Sequence, residues 1–363
     1  MILTSEKMKI TGLIRSFGYT FMLMALLGAS CGSKEIDETK APVPKAGFSF
    51  SVDVANKLTI NFTNESENAA LYTWDFGDNT KISVDKNPVH TYTKAGTYSV
   101  TLIVKNGVGV TDTKKTDITV EANAPPSDND TPIWVEEFEG STLNTNIWTP
   151  IRGTEPYTYG SPYNPSSDDN GFDKSMVSVA NGNLVIKWEN TPVTIGGETY
   201  KYTAGTVHSG KGKYFGPGHY IEAKIKFTRT PGLWHAFWLL PLPVDDHWPP
   251  EIDIAELTTS DTPDDLYHPH FNYHWVENDA HEQMGWKWYG TSGVDYSNDW
   301  HTYGLLWKQG FLQAFIDGEA GPMYQAPNVS SEEMYIILST GVKKNATPAN
   351  GEMLVDYVKI WKR

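Results

Sequence analysis

The chain has 363 residues, enough for two or three domains with a large buried core. It carries 29 Lys and Arg against 44 Asp and Glu, a formal net charge of -15, which excludes the cation-rich surface that nucleic-acid binding needs. Hydrophobic residues at 39% and charged residues at 20% exclude a membrane bundle and a disordered chain. Aromatic residues reach 13%, and 31 Gly and 22 Pro suit many turns between short strands, so we predict an all-β protein.

The first 30 residues have the features of a secretory signal. Cationic residues precede the apolar run Phe21–Leu27, which is too short to span a bilayer. Small residues then lead to Cys31, the only cysteine in the chain, and this order resembles the lipobox of bacterial lipoproteins. The resemblance implies that residues 1–30 are a lipoprotein signal peptide and that Cys31 carries a lipid anchor to a membrane.

A polar segment with acidic and proline residues, 31–45, follows the cysteine. It resembles the surface-export tether of lipoproteins from Bacteroides-like bacteria. We therefore expect a protein that is lipid-anchored in the outer membrane and displayed at the cell surface.

Residues 46–121 are predicted to form a small β-sandwich. Apolar residues alternate along Phe48–Val52 and Leu58–Phe62, a period of two that indicates half-buried strands. The Trp-Asp-Phe-Gly-Asp motif from Trp74 and the His-x-Tyr motif from His90 resemble the PKD domain, which implies an immunoglobulin-like sandwich. Such modules mostly act as spacers, and we expect Trp74 to point into the core rather than toward a glycan.

A second linker, 122–132, is rich in Pro and turn-forming residues. The rest of the chain, 133–363, contains many short strand-like runs separated by turn residues. This pattern predicts one β-sandwich or jelly-roll domain.

One predicted strand carries three carboxylates close together. Glu251 and Asp253 are two residues apart and share one face of a strand, whereas Glu256 has the opposite parity. A β-bulge near Ile254–Ala255 would return Glu256 to the same face. Two carboxyls that flank a cleft are what glycoside hydrolysis requires, and a retaining enzyme needs them about 5–5.5 Å apart.

The spacing Glu251-x-Asp253-x-x-Glu256 resembles the bulged form of the family-16 glycoside hydrolases, as in laminarinases, agarases and carrageenases. The resemblance covers 133–363 and implies a jelly roll of two antiparallel sheets with an open, concave catalytic cleft. It implies that Glu251 is the nucleophile, Asp253 its electrostatic helper and Glu256 the acid/base. Further motifs carry the resemblance: Ala204–Ser209, Tyr220–Lys224, Gly232–Trp238, Trp300–Trp307, Ile316–Gly318 and Val355–Trp361.

Aromatic side chains are expected to line the cleft, because sugars present flat apolar faces. We expect Trp234 and Trp248 to bind substrate from loops that flank the catalytic strand, and Trp238 to be structural. His270, Asn272 and His274 share a face of the next strand. The remaining substrate-binding candidates are Asn272, His274, Trp286 and Trp288.

No cofactor is expected for catalysis. A zinc site at the histidines is disfavoured, because no carboxylate joins them at metal-ligand spacing in the sequence. Many family members hold a structural Ca²⁺, and the resemblance places it at Glu137 and Asp356.

The sequence departs from the glucan-active members of the family in two places. Met176 stands where they usually carry an Asn, and the segment Tyr157–Phe172 is long, polar and rich in Tyr and Pro. We predict a monomeric, endo-acting retaining β-glycosidase for β-1,3 or mixed β-1,3/1,4-glucan. The alternatives are an enzyme for β-1,4-galactosidic glycans (agar, keratan or mucin type), a transglycosylase with the same residues, and a non-catalytic glycan-binding lipoprotein.

Overall fold

The computed structural model describes residues 41–153, 159–244, 248–258, 268–285, 287–297 and 299–363. The predicted signal, Cys31, most of the tether and Trp286 lie outside the described residues, so the statements about them stay predictions. In the part of the chain that is described, we find no helix long and apolar enough to cross a membrane.

The N-terminal unit is a sandwich of two three-stranded sheets, ordered β1-β2-β4 and β3-β5-β6. Phe62, Trp74 and Tyr92 fill the space between them, and the Trp74 side chain is fully buried, as predicted. The Trp74 indole N–H donates to the carbonyl of Asp85, so its polar atom is satisfied inside the core. The strands are β1 Phe48–Val52, β2 Thr59–Asn64, β3 Leu71–Asp75, β4 Val89–Thr91, β5 Gly96–Lys105 and β6 Thr111–Val120.

The C-terminal unit packs an 11-stranded sheet against an 8-stranded sheet. The 11-stranded sheet has the order β25-β24-β23-β17-β27-β11-β14-β9-β8, with β10 paired to β11 and β7 paired to β27. One 3-10 turn, Lys174–Met176, precedes β10. The strands of this sheet are β7 Trp134–Glu136, β8 Tyr159–Gly160, β9 Asn170–Asp173, β10 Val177–Ala180, β11 Asn183–Glu189, β14 Tyr202–Ala204, β17 His219–Lys226, β23 Trp300–Lys308, β24 Phe311–Ile316, β25 Glu319–Gln325 and β27 Gly351–Lys362.

The 8-stranded sheet has the order β15-β26-β18-β19-β20-β21, with β16 paired to β26 and β22 paired to β20. Its central strands are apolar on the side that faces the 11-stranded sheet, and one continuous core joins the two sheets. The predicted all-β fold, a sandwich followed by a jelly roll, is confirmed. The strands are β15 Thr206–His208, β16 Tyr214–Phe215, β18 Leu233–Pro241, β19 Glu251–Thr258, β20 His270–Glu277, β21 Ala280–Gln283, β22 Lys287–Trp288 and β26 Met334–Val342, beside a separate hairpin of β12 Val193–Ile195 and β13 Glu198–Tyr200.

A buried amide network joins the two units. The Asn56 side-chain amide donates to Gln325 Oε1 at 2.7 Å, and the Asn123 amide donates to Gln313 Oε1 at 2.9 Å and to Asn56 Oδ1 at 2.9 Å. Met323 packs against the cores on both sides. The N-terminal sandwich is therefore docked on β24 and β25 rather than separated from them by a free linker.

Candidate active site

The carboxylate strand β19 contains the predicted bulge. Phe237 of β18 pairs with Ala255 and Trp238 pairs with Asp253, so Ile254 is left without a partner on that side. On the other side, the pairing with β20 shifts between Asp253 and Glu256. Ile254 and Ala255 both pack into the core, and this brings Glu256 to the face that carries Glu251 and Asp253.

Each outer carboxylate accepts a hydrogen bond from a tryptophan. The Trp248 indole N–H donates to Glu251 Oε2 at 2.9 Å, and the Trp234 indole N–H donates to Glu256 Oε1 at 2.6 Å. Trp248 stands just before β19 and is half-exposed. Trp234 lies within β18, so the prediction that it sits on a loop was wrong. The donors fix both carboxyls, and both tryptophan side chains line the cleft.

The three carboxylates lie in a cleft of about 790 Å³. Trp238 is buried in a hydrophobic cluster, as expected for a structural residue, and it also lines the cleft. Its indole N–H donates to Ser339 Oγ at 3.1 Å, and its ring meets Tyr163 edge-on at 4.6 Å. Trp238 therefore forms part of the cleft wall and also packs against Tyr163.

His274 and Asn272 lie across from the carboxylates on β20, where His274 pairs with Glu251 and Asn272 with Asp253. His274 Nε2 lies 3.2 Å from Asp253 Oδ2 and 3.4 Å from Glu251 Oε1. The Asn272 amide is fully buried and donates to Gln283 Oε1 at 3.0 Å. His274 therefore lines the cleft, whereas Asn272 supports it from below.

The structure does not bring Trp288 into the cleft. Trp288 pairs with His270 on the short strand β22, and the two rings meet at 3.5 Å. His270 pairs in turn with Glu256, so Trp288 is two strands away from that carboxyl.

Burial governs the protonation of the three carboxyls. Burial, reinforced by the Asp253 charge, raises the pKa of Glu251 well above its usual range. Burial, reinforced by Glu256, does the same to the pKa of Asp253. Burial raises the pKa of Glu256 to about 7, although the Trp234 hydrogen bond and the Lys343 charge lower it. The cluster therefore holds protons at neutral pH, as a site with a general acid must.

Glu251, Asp253 and His274 are the one group in the described part of the chain whose ligand-type atoms lie close enough to hold a cation, all within 4.8 Å of one another. No carboxylate stands at metal-ligand spacing from the histidines in the sequence, but the pairing of β19 with β20 brings Glu251 and Asp253 beside His274. The hydrogen bonds of these atoms account for their positions, and we assign no metal to them.

Glu137 and Asp356 each lie beside a lysine, and the calcium predicted at them stays a prediction. The Glu137 carboxylate lies 3.7 Å from Lys359 Nζ, and the Asp356 carboxylate lies 2.7 Å from Lys224 Nζ. Each charge is thus met by a lysine, and neither residue joins a third acidic ligand within the described ranges.

Sequence reasoning missed one wall of the cleft. Arg152, Tyr163, Asn164 and Asp168 all line it, and the Arg152 guanidinium lies 4.7 Å from the centre of the Tyr163 ring. Three of them belong to the segment Tyr157–Phe172, which is unusually polar and rich in Tyr and Pro. That composition was the available signal, but it could not show that the segment folds toward the catalytic strand.

Both units of the chain match known protein families. Residues 39–120 match the family described as PKD domain, and residues 133–363 match the family described as Beta-porphyranase A-D, GH16 domain. The endo-1,3-1,4-beta-glycanase ExsH of Rhizobium meliloti (strain 1021) is 29% identical over 242 residues, which cover 64% of this chain and 47% of that protein. The chain therefore spans about half the length of that relative.

Two solved structures share the fold. An endo-beta-1,3-glucanase from Pyrococcus furiosus has a TM-score of 0.53 at 24% identity, covering 66% of this chain and 97% of its own. The catalytic domain of an endo-1,3-beta-glucanase (laminarinase) from Thermotoga petrophila RKU-1 has a TM-score of 0.54 at 20% identity, covering 63% and 96%. Since the matched domain makes up more than half of the chain, this protein is a PKD domain followed by a member of glycoside hydrolase family 16.

Proposed function

We propose that this protein is an endo-acting retaining β-glycosidase that hydrolyses a polysaccharide by double displacement. The observation that carries the proposal is the bulge of β19, which puts Glu251, Asp253 and Glu256 on one face of a cleft. A binding protein has no need for three carboxyls whose burial opposes their ionisation. The hydrogen bonds from Trp248 and Trp234 hold the two outer carboxyls in separate places.

In the first step, Glu256 gives its proton to the leaving oxygen while Glu251 attacks the anomeric carbon and forms a glycosyl-enzyme. Asp253, between the two, shares a proton with Glu251 and relieves the repulsion of like charges. In the second step, Glu256 takes a proton from water, whose oxygen displaces Glu251. The sugar leaves with its original anomeric configuration.

The substrate we propose is β-1,3 or mixed β-1,3/1,4-glucan. The similarity to ExsH, whose name states 1,3-1,4-beta-glycanase activity, supports this substrate and covers 64% of the chain. We further propose that the lipid anchor at Cys31 displays the enzyme on the outer membrane, where a polysaccharide is accessible.

A β-galactosidic glycan is the second candidate. The family whose description names beta-porphyranase spans the entire domain, 133–363. The cleft wall formed by Tyr163, Asn164 and Asp168 lies in the region that departs from the glucan-active pattern, and the Arg152 guanidinium packs over the Tyr163 ring beside it. These side chains add a cation, a ring and a carboxyl to the wall of the cleft.

A product profile tests the proposal and separates the two candidates. The full-length protein is incubated with laminarin, barley mixed-linkage glucan, agarose, keratan sulfate and mucin O-glycans, and the products are identified by mass spectrometry and proton NMR. We expect oligosaccharide ladders from the glucans, with β-anomers formed first. Ladders from the galactose-containing glycans alone would transfer the assignment to the second candidate.

Two variants test the residue roles. E251A and E256A are each expected to lose about 10³-fold in kcat/KM, whereas E319A, an exposed carboxylate on β25, keeps wild-type activity. With an activated aryl glycoside and azide, E251A should yield an α-glycosyl azide and E256A a β-glycosyl azide. Unchanged turnover in E251A would contradict the mechanism. If the wild-type protein released no product from any glycan, the glycan-binding alternative would replace the proposed enzyme.

A further inference from the structure

A tight hairpin places a second histidine beside the carboxylate cluster. Asn278 and Asp279, with φ of 52° and 61°, form the two-residue turn between β20 and β21. This turn type pins the register, in which Val276 pairs with His281. Because side chains alternate along strands, His281 lies on the same face as His274, two register pairs further along the hairpin.

The two imidazoles are joined by a hydrogen bond. His274 Nδ1 lies 2.8 Å from His281 Nε2, and the planes of the two rings are within 13° of parallel. The Trp248 ring packs on His281 at 4.6 Å, so the residue that holds Glu251 also packs against the outer histidine. His281 is exposed on its remaining side.

A fixed backbone donor decides which His274 nitrogen carries the proton. The Tyr273 backbone N–H donates to Asn272 Oδ1 at 2.9 Å, so the Asn272 N–H₂ group must point the other way. That group lies 2.8 Å from His274 Nε2, which therefore accepts and bears no proton. The neutral His274 ring then carries its proton on Nδ1 and donates it to His281 Nε2.

We propose that His281 is a positioning residue for the reaction, because it accepts the Nδ1–H of His274 and holds the tautomer whose bare Nε2 faces Asp253 and Glu251. This inference rests on the proposed function. In that tautomer the single lone pair of Nε2 is held by the Asn272 N–H₂ group, so the His274 ring gives no proton to the carboxyls and the Asp253 proton stays shared with Glu251. The opposite tautomer would place Nε2–H against the Asn272 N–H₂ group. Two donors would then face each other at hydrogen-bond distance, and the two side chains would move apart.

Three variants of the full-length protein separate positioning from mere packing. H281Q keeps an oxygen that can accept from His274 Nδ1, whereas H281L has a side chain of similar bulk without an acceptor. E282Q changes the neighbouring exposed residue, whose side chain points to the other face of β21, and serves as the control. We expect H281L to lower kcat about tenfold with KM within about twofold, H281Q to keep at least half of kcat, and E282Q to match the wild type.

Long-range proton–nitrogen NMR of histidine-labelled protein reports the tautomer without any substrate. The His274 signals, assigned with H274Q, should show a proton on Nδ1 in the wild type and in H281Q, and a shift toward Nε2 protonation in H281L. An unchanged tautomer in H281L, or a kcat in H281Q as low as in H281L, would overturn the inference. The tautomer shift in a protein that cleaves no glycan would refute the proposed function and leave the His281 contact standing.

Discussion

The Glu256 carboxyl illustrates how the site opposes the stability of the fold. Its pKa is raised by burial to about 7, above the value near 4.5 of an exposed glutamate. Between those two pH values the folded state binds more protons than the unfolded state. The free energy of unfolding therefore falls as the pH rises from about 4.5 to about 7, and it stays lower above that range.

E256Q is expected to stabilise the protein at high pH only. Glutamine can still accept the Trp234 hydrogen bond but carries no charge to bury. At about 1.4 kcal/mol per pKa unit, the gain in the free energy of unfolding is about 3 kcal/mol at pH 8 and close to zero at pH 4.5. Urea unfolding at the two pH values measures it, with E319Q on the exposed surface as control. A variant that is no more stable than the wild type at pH 8 would refute this account of the site.

Sequence reasoning located the carboxylates more easily than their neighbours. Glu251, Asp253 and Glu256 lie within six residues of one strand, so their spacing alone exposes the pattern. His281 and Arg152 reach the site through strand register and through a loop fold, and neither leaves a local pattern. Contacts of this kind depend on long-range pairing, which no short window of sequence encodes.

The bulge is the element on which the site depends. Alternation predicted the strands and also the bulge, because Glu256 has the wrong parity for a regular strand. Alternation did not show that the buried Trp238 also faces the cleft, because β18 is buried on both faces and apolar residues occupy both sides of the strand. A strand with one exposed face shows its orientation in the sequence, whereas a strand covered on both sides does not.

Deleting Ala255 should preserve the orientation of Glu256. Without the extra residue, β19 becomes a regular strand in which Ile254 faces the core and Glu256 still faces the cleft. Inserting one alanine after Ala255 should instead turn Glu256 into the core and bury an unpaired carboxyl. We expect the deletion to keep measurable hydrolysis and the insertion to lose it together with several degrees of melting temperature, as read by circular dichroism. An equal loss of hydrolysis in both variants would show that the bulge does more than set the face of β19 on which Glu256 lies.

At the scale of the whole molecule, the N-terminal sandwich contributes to the structure of the catalytic unit. The linker continues the docking contact: the Trp361 indole N–H donates to the Asp130 carbonyl at 3.0 Å, and Arg363 pairs with the Asp130 carboxylate at 3.1 Å. Prolines and turn-forming residues predicted the linker. Nothing in the sequence predicted that the Asn123 amide is buried in the contact between the two units. A polar residue in a polar segment looks the same whether it is solvated or buried in an interface.

Replacing Asn123 by alanine should loosen both units together. The variant leaves the buried Gln313 Oε1 and the Lys57 backbone N–H without their partner, which costs about 1–3 kcal/mol. Scanning calorimetry of the full-length protein is expected to show one transition in the wild type and an earlier one in N123A, while T119A, exposed on β6, behaves as the wild type. The fragment 133–363 should melt below the intact protein, because it exposes the amides and Met323 on β24 and β25. An N-terminal unit that melts separately, with the fragment as stable as the whole chain, would show that the sandwich is a spacer after all.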